Sequence, residues 1–98
     1  MNNYTKIKKT EYSISYLNGK NQFHRIDGPA YIDYDENGNL LYEAYYINGI
    51  PFRENNLPNH IHYYEYDNIA MEVWWNERTQ KHNEHGPARI FYKEIDNE

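Results

Sequence analysis

The stretch FHRIDGPAYIDY, Phe23 to Tyr34, is echoed near the other end of the chain by HNEHGPARIFY, His82 to Tyr92. The prolines set the spacing: Pro29, Pro58 and Pro87 lie 29 residues apart, twice over and without a gap. The same shift superposes Ile32, Ile61 and Ile90, then Tyr34, Tyr63 and Tyr92, and it sets Tyr16 and Tyr45 against Trp74. It also aligns His24 and Arg53 with His82, and Gly28 with Gly86, with Leu57 as the exception. A fixed period of this length marks a repeat architecture in which each unit is one supersecondary element. The units divide as 1–28, 29–57 and 58–86, with a partial one over 87–98, and 98 residues leave room for one domain.

Each unit reads as a β-hairpin. PAYIDYD leads through the turn ENGN to LLYEAYYI and a second turn at Asn48-Gly49. Asn-Gly between alternating apolar segments is the strongest local hairpin signal. NHIHYYEY turns at Asp67-Asn68 into IAMEVWW, PARIFYKE opens a further unit, and EYSISYL runs into Asn18-Gly19 in the same way. No segment keeps a helical period. The predicted fold is all-β, an antiparallel meander of repeated hairpins in a single elongated, twisted sheet.

The echo then has an architectural meaning. Each proline stands at the start of a strand, where its missing N–H costs no ladder bond. The preceding glycine suits an unusual backbone, and Asp27, Asn56 and His85 stand where Asp or Asn closes an Asx-type turn. HRIDGPA, with its tyrosine-rich strand and YYINGIPFR, also resembles the HRxDGPA-type repeats of phage and large-DNA-virus proteins, which are similar to MORN-type hairpin repeats. The likeness covers about residues 12–93; unit two departs from it with NNLPNH, and the third has EHGPAR. It implies stacked hairpins and a scaffolding or binding role without a defined activity.

Composition narrows the function. Leu, Ile, Val and Phe number only 18, while 12 Tyr and 2 Trp supply the bulk, so the core is thin and aromatic. There is no cysteine, hence no disulfide, thiolate metal site or thiol nucleophile. No apolar run reaches a membrane span and the N-terminus lacks a signal-peptide stretch, so a cytoplasmic protein is expected. Residues 1–25 carry five cations against one carboxylate, whereas 26–77 carry ten carboxylates against one cation. The acidic middle disfavours nucleic acid and favours a partner with a basic surface.

Alternation separates two strand faces. Ala30, Ile32 and Tyr34, Asn59, Ile61 and Tyr63, and Ala88, Ile90 and Tyr92 hardly change between units, as a packed face requires. Tyr31, Asp33 and Asp35, His60, His62 and Tyr64, and Arg89, Phe91 and Lys93 differ in every unit, which suits recognition. Trp74 and Trp75 must point to opposite faces, one into the core and one partly exposed. The expected partner-binding residues are Tyr31, Asp33, Asp35, His60, His62, Tyr64 and Trp75.

Catalysis is not indicated. Fifteen acids offer many carboxylate pairs, but an open sheet lacks the pocket that shifts a pKa, and the only serines are Ser13 and Ser15. His60 and His62 at i, i+2 with Asp33 or Asp35 make a metal site conceivable; the ligand shortage argues against it, and no cofactor is expected. With the viral resemblance, the expected function is a non-enzymatic inhibitor of a host defence nuclease complex, of the anti-CRISPR type. Self-assembly through sheet edges, including a homodimer, and sequestration of a small ligand such as a nucleotide are the alternatives.

Overall fold

The computed structural model describes residues 3–64, 68–76 and 88–93. They form nine strands: β1 (Lys6–Lys9), β2 (Ser13–Leu17), β3 (Tyr31–Tyr34), β4 (Leu40–Ala44), β5 (Tyr46–Ile47), β6 (Ile50–Pro51), β7 (His60–Tyr63), β8 (Ile69–Val73) and β9 (Arg89–Phe91). Seven make one antiparallel sheet in the order β1-β2-β3-β4-β7-β8-β9, and β5 and β6 form a separate two-stranded ribbon. The expected all-β meander is therefore the observed fold. The third DGPA-like corner, with His82, His85, Gly86 and Pro87, lies outside the described residues, as does Asp67.

Register defines two faces. On face A one row crosses all seven strands as Lys8, Ser15, Tyr31, Ala44, His60, Val73 and Arg89. A second face-A row runs Ser13, Asp33, Tyr42, His62, Met71 and Phe91. On face B the row is Lys9, Ile14, Ile32, Glu43, Ile61, Glu72 and Ile90. Both faces hold core residues: Ile32 and Ile61 are buried on B, Ala44 and Val73 on A. A seven-stranded layer divides its core in this way because, among the described residues, the only other sheet is the two-stranded β5–β6 ribbon.

Two bulges break the expected alternation, between Asp33 and Tyr34 and, 29 residues on, between His62 and Tyr63. The extra residues are Leu41 on β4 and Ala70 on β8, and β3 and β7 each end one residue past the shift, so Asp35 and Tyr64 lie beyond the strands. Asp35 closes the ENGN turn instead. Its carboxylate accepts from Asn37 N–H, Asn39 N–H and the Asn39 amide, and those bonds hold its pKa below the ordinary value. Gly38, at φ +82, supplies the left-handed residue the turn needs.

The corners revise the reading of the repeat. Ladder bonding does start directly after Pro29 and Pro58, with Ala30 N–H donating to Ala44 C=O and Asn59 N–H to Val73 C=O. The equivalent cations, however, are Arg25 and Arg53. Arg25 lies 4.0 Å over the Tyr16 ring and donates to Pro29 C=O; Arg53 lies 4.1 Å over the Tyr45 ring and donates to Pro58 C=O. Unit two thus carries one extra residue between cation and proline, absorbed by Asn55 and Asn56, both at positive φ. The ungapped alignment of His24 with Arg53 is replaced by this pairing.

Asp27 does not close an Asx turn; its carboxylate pairs with Arg25 Nε at 3.0 Å. Nor does Gly28 have a positive φ. A Cβ there would stand 3.0 Å from Arg25 Cζ, so glycine makes room for the stacked guanidinium. Gly28→Ala should cost about 1 kcal/mol in thermal denaturation by displacing that stack. The cost should vanish in an Arg25→Ala background, and an undiminished cost there would refute this account.

β5 and β6 depart from the expected strand LLYEAYYI, which breaks at Tyr45. The turn Asn48-Gly49 has φ +49 and +79, the two left-handed residues that an Asn-Gly hairpin predicts. His24, 2% exposed, accepts at Nδ1 from Asn48 N–H at 2.9 Å, and Gly49 N–H donates to Phe23 C=O. These bonds fold the ribbon back onto the loop before β3. Asn18-Gly19 forms a longer loop, with Asn18 Oδ1 accepting from Lys20 and Gln22 N–H.

Candidate functional site

Face A carries a connected set of rings. Phe23 lies 5.4 Å from Tyr31 and 5.3 Å from Tyr46; Tyr42 lies 6.1 Å from Tyr31 and 4.5 Å from His62; His60 lies 6.1 Å from Trp75. Cross-strand register brings Tyr31, Tyr42 and the two histidines together, since Asp33–Tyr42–His62 and Tyr31–Ala44–His60 are paired positions. Phe23 and Tyr46 come from the loop and ribbon folded over that face. The rings border an open cleft of about 360 Å³, lined by Tyr42, His62, Met71, Trp75 and Arg89 and floored by buried Val73 and His60.

The seven expected partner-binding residues separate into two groups. Tyr31, Asp33, His62 and Trp75 stand on or beside the cleft face, with Tyr31 OH donating to Asp33 Oδ1 at 2.6 Å. That bond raises the Tyr31 pKa, burial adding to it. His60 is 7% exposed; its Nε2 bonds Tyr46 OH and its Nδ1 bonds the Asn59 side chain. It is a structural residue rather than part of a free surface. Asp35 is taken by its turn, and Tyr64 OH donates to Tyr92 C=O.

Those contacts bear on the metal reading too. Both His60 ring nitrogens have partners within the fold, and no group of three or more metal-ligating side chains occurs among the described residues. Burial, with neighbouring His62 adding to it, lowers the His60 pKa from 6.5 to about 4. Burial lowers that of His62 as well. A depressed folded-state value means that the unfolded chain binds the extra proton more readily. This contribution to stability is therefore complete above about pH 6.5 and is lost as pH falls towards about 4. Melting temperatures across that range should fall less steeply for His60→Gln than for the native chain; parallel profiles would contradict this assignment.

Charge is arranged differently from what the sequence totals suggested. Face A presents Lys8 and Arg89 in its first row and a single acid, Asp33, in its second. The acids Glu43 and Glu72 lie on face B, where each accepts a hydrogen bond from the tyrosine 20 residues ahead, Tyr63 and Tyr92. Burial, then the bond to Glu43, raises the Tyr63 pKa. Among the described residues, no carboxylate lines the cleft.

Trp74 and Trp75 diverge as alternation requires. Trp74 is buried and donates through Nε1 to Asn56 C=O, whereas half-buried Trp75 lines the cleft. The sequence reading missed Tyr42, Met71 and Phe23 as site residues. Tyr42 was legible in principle, because period-two alternation on β4 places it with Ala44. Phe23 was not, since it arrives through a loop. Searches of protein-family models, curated proteins and solved structures each returned no match to this chain.

Proposed function

We propose that this chain is a non-enzymatic binding protein that works through face A. The carrying observation is the connected row of rings, from Phe23 to Trp75, opening on a cleft with no acidic lining. Aromatic residues beside cations are the side chains that dominate binding energy at interfaces. Following the resemblance to viral repeats, the proposed role is inhibition of a host defence nuclease complex. Among the described residues Asp33 is the one acid in the face-A rows, beside Lys8 and Arg89, which supports an anionic complement for this face where the charge totals favoured a basic one.

Three of the groups that catalysis could use have partners within the fold. Ser13 Oγ shares a hydrogen bond with Thr10, and Glu43 and Glu72 are bonded to tyrosines. A second reading, capture of a small ligand, is favoured by the cleft itself. Affinity capture from a bacterial lysate, followed by mass spectrometry, tests the protein-partner reading. The control is His62→Ser/Trp75→Leu, since replacing Asp35 would open a turn. A complex retained by the native chain and lost with this folded variant supports face A. Equal retention by both removes it.

A further inference from the structure

Arg89 stands at the start of β9, in register with Val73, and belongs to the lining of the face-A cleft. Its Nε is buried and has no hydrogen-bond partner among the described residues, and its guanidinium lies 5.5 Å over the Phe91 ring. A buried donor without an acceptor is costly, and such groups in native folds call for an explanation. Arg89 also belongs to the cleft lining, and among the described residues no carboxylate lines that cleft.

The rest of the lining says what carries the acceptor. Tyr42, His62 and Trp75 offer flat faces and edges, Met71 a soft apolar wall and Arg89 the one fixed cation among the described lining residues. At about 360 Å³ the cleft is at the small end of the roughly 300–1,000 Å³ range of small-molecule sites. Stacking on aromatic rings tolerates any heteroaromatic base, whereas the guanidinium selects an anionic group by charge and by its forked donors. The neighbouring cleft, lined by Lys6, Lys8 and Phe23, has cations but a single ring and lacks this combination.

We propose that the cleft between Trp75, Tyr42 and Arg89 binds a nucleoside monophosphate, its base against the rings and its phosphate on Arg89. This rests on face A being the working surface and names the ligand class for one part of it. Phosphate oxygens give the Arg89 guanidinium the anionic acceptor it lacks among the described residues, and the base covers apolar surface that is otherwise open on this thin sheet.

The test is titration of the full chain with adenosine monophosphate, followed by tryptophan fluorescence and calorimetry. Saturable binding is expected, at least tenfold tighter than adenosine. Arg89→Met, which removes a buried unpaired donor and so should keep its melting temperature, should bring the monophosphate down to the level of adenosine. Trp75→Leu should weaken both ligands together. No saturable binding at millimolar concentration, or an Arg89→Met variant that binds as the native chain does, overturns the proposal. If the nucleotide fails while a host complex is still retained through Trp75, only the ligand class is wrong. If both fail, face A is not the working surface.

Discussion

Asn59→Ala is expected to lower stability by about 3 kcal/mol, although it restores the residue that the repeat carries at Ala30 and Ala88. Asn59 is 5% exposed, and its side chain makes three bonds. Its amide donates to Trp75 C=O, its carbonyl accepts from Trp75 N–H, and the same oxygen bonds His60 Nδ1. Alanine leaves all three groups without their partner. At roughly 4–8 °C per kcal/mol for a domain of this size, the melting temperature should drop by about 15 °C. Trp75 emission should also move to the red, because its backbone tether to the start of β7 is gone. A drop of only a few degrees would show that water or a neighbour replaces these bonds. Asn59→Asp, which keeps the acceptor and loses the donor, should fall between the two.

His24→Ala should cost a similar amount, about 3 kcal/mol, by a different route. It empties the volume of the largest fully buried side chain and leaves Asn48 N–H without its acceptor. The damage should concentrate in the β5–β6 ribbon, which hangs on that bond and on Gly49 N–H to Phe23 C=O. Hydrogen exchange is the direct check: the Asn48 and Gly49 amides should lose protection before those of β3 and β4. His24→Asn, with a carbonyl oxygen to stand in for Nδ1, should recover part of the loss. If all strands lose protection equally, the ribbon is not the unit that His24 holds. Since Tyr46 and Pro51 of this ribbon line the cleft, the variant should also impair whatever face A binds.

Particular residues show how far the sequence could be read. The 29-residue period led to the meander because strand pairing is local: each hairpin joins neighbours in sequence. The constant positions Ile32 and Ile61 were placed correctly on one face because alternation along a strand follows from backbone geometry. β1 was missed, since Lys6, Ile7, Lys8 and Lys9 look like a charged tail. Lysine-rich strands are common at sheet edges, where charge discourages further pairing, and β1 is an edge. Asp35 and Tyr64 were misplaced because β3 and β7 end at Tyr34 and Tyr63, beside bulges at Leu41 and Ala70 of the partner strands that carry no marker in the side-chain pattern.

The candidate site was only partly legible for the same reason. His62 and Trp75 could be assigned to face A from strand period alone, and the structure places both on the cleft. His60 follows the same period and yet is buried, because the β5–β6 ribbon folds over its end of the face and Tyr46 bonds its ring. Nothing in the spacing of Tyr46 and His60 announces that meeting. The one-residue difference between the Arg25 and Arg53 corners was hidden likewise: two left-handed asparagines absorb it while the prolines keep their interval.

The sequence alone determined the all-β class, the antiparallel meander and the placement of Ile32 and Ile61 on one face. All of these depend on local backbone geometry and on contacts between chain neighbours. Tertiary structure decided which part of each face is covered, where the acids end up, and that Arg89 faces a cleft with an unpaired donor. Those outcomes depend on loops and a ribbon folding across the sheet, and on bulges that redirect side chains. Burial is a property of what lies above a residue, and a single-layer sheet leaves that choice to segments distant in sequence.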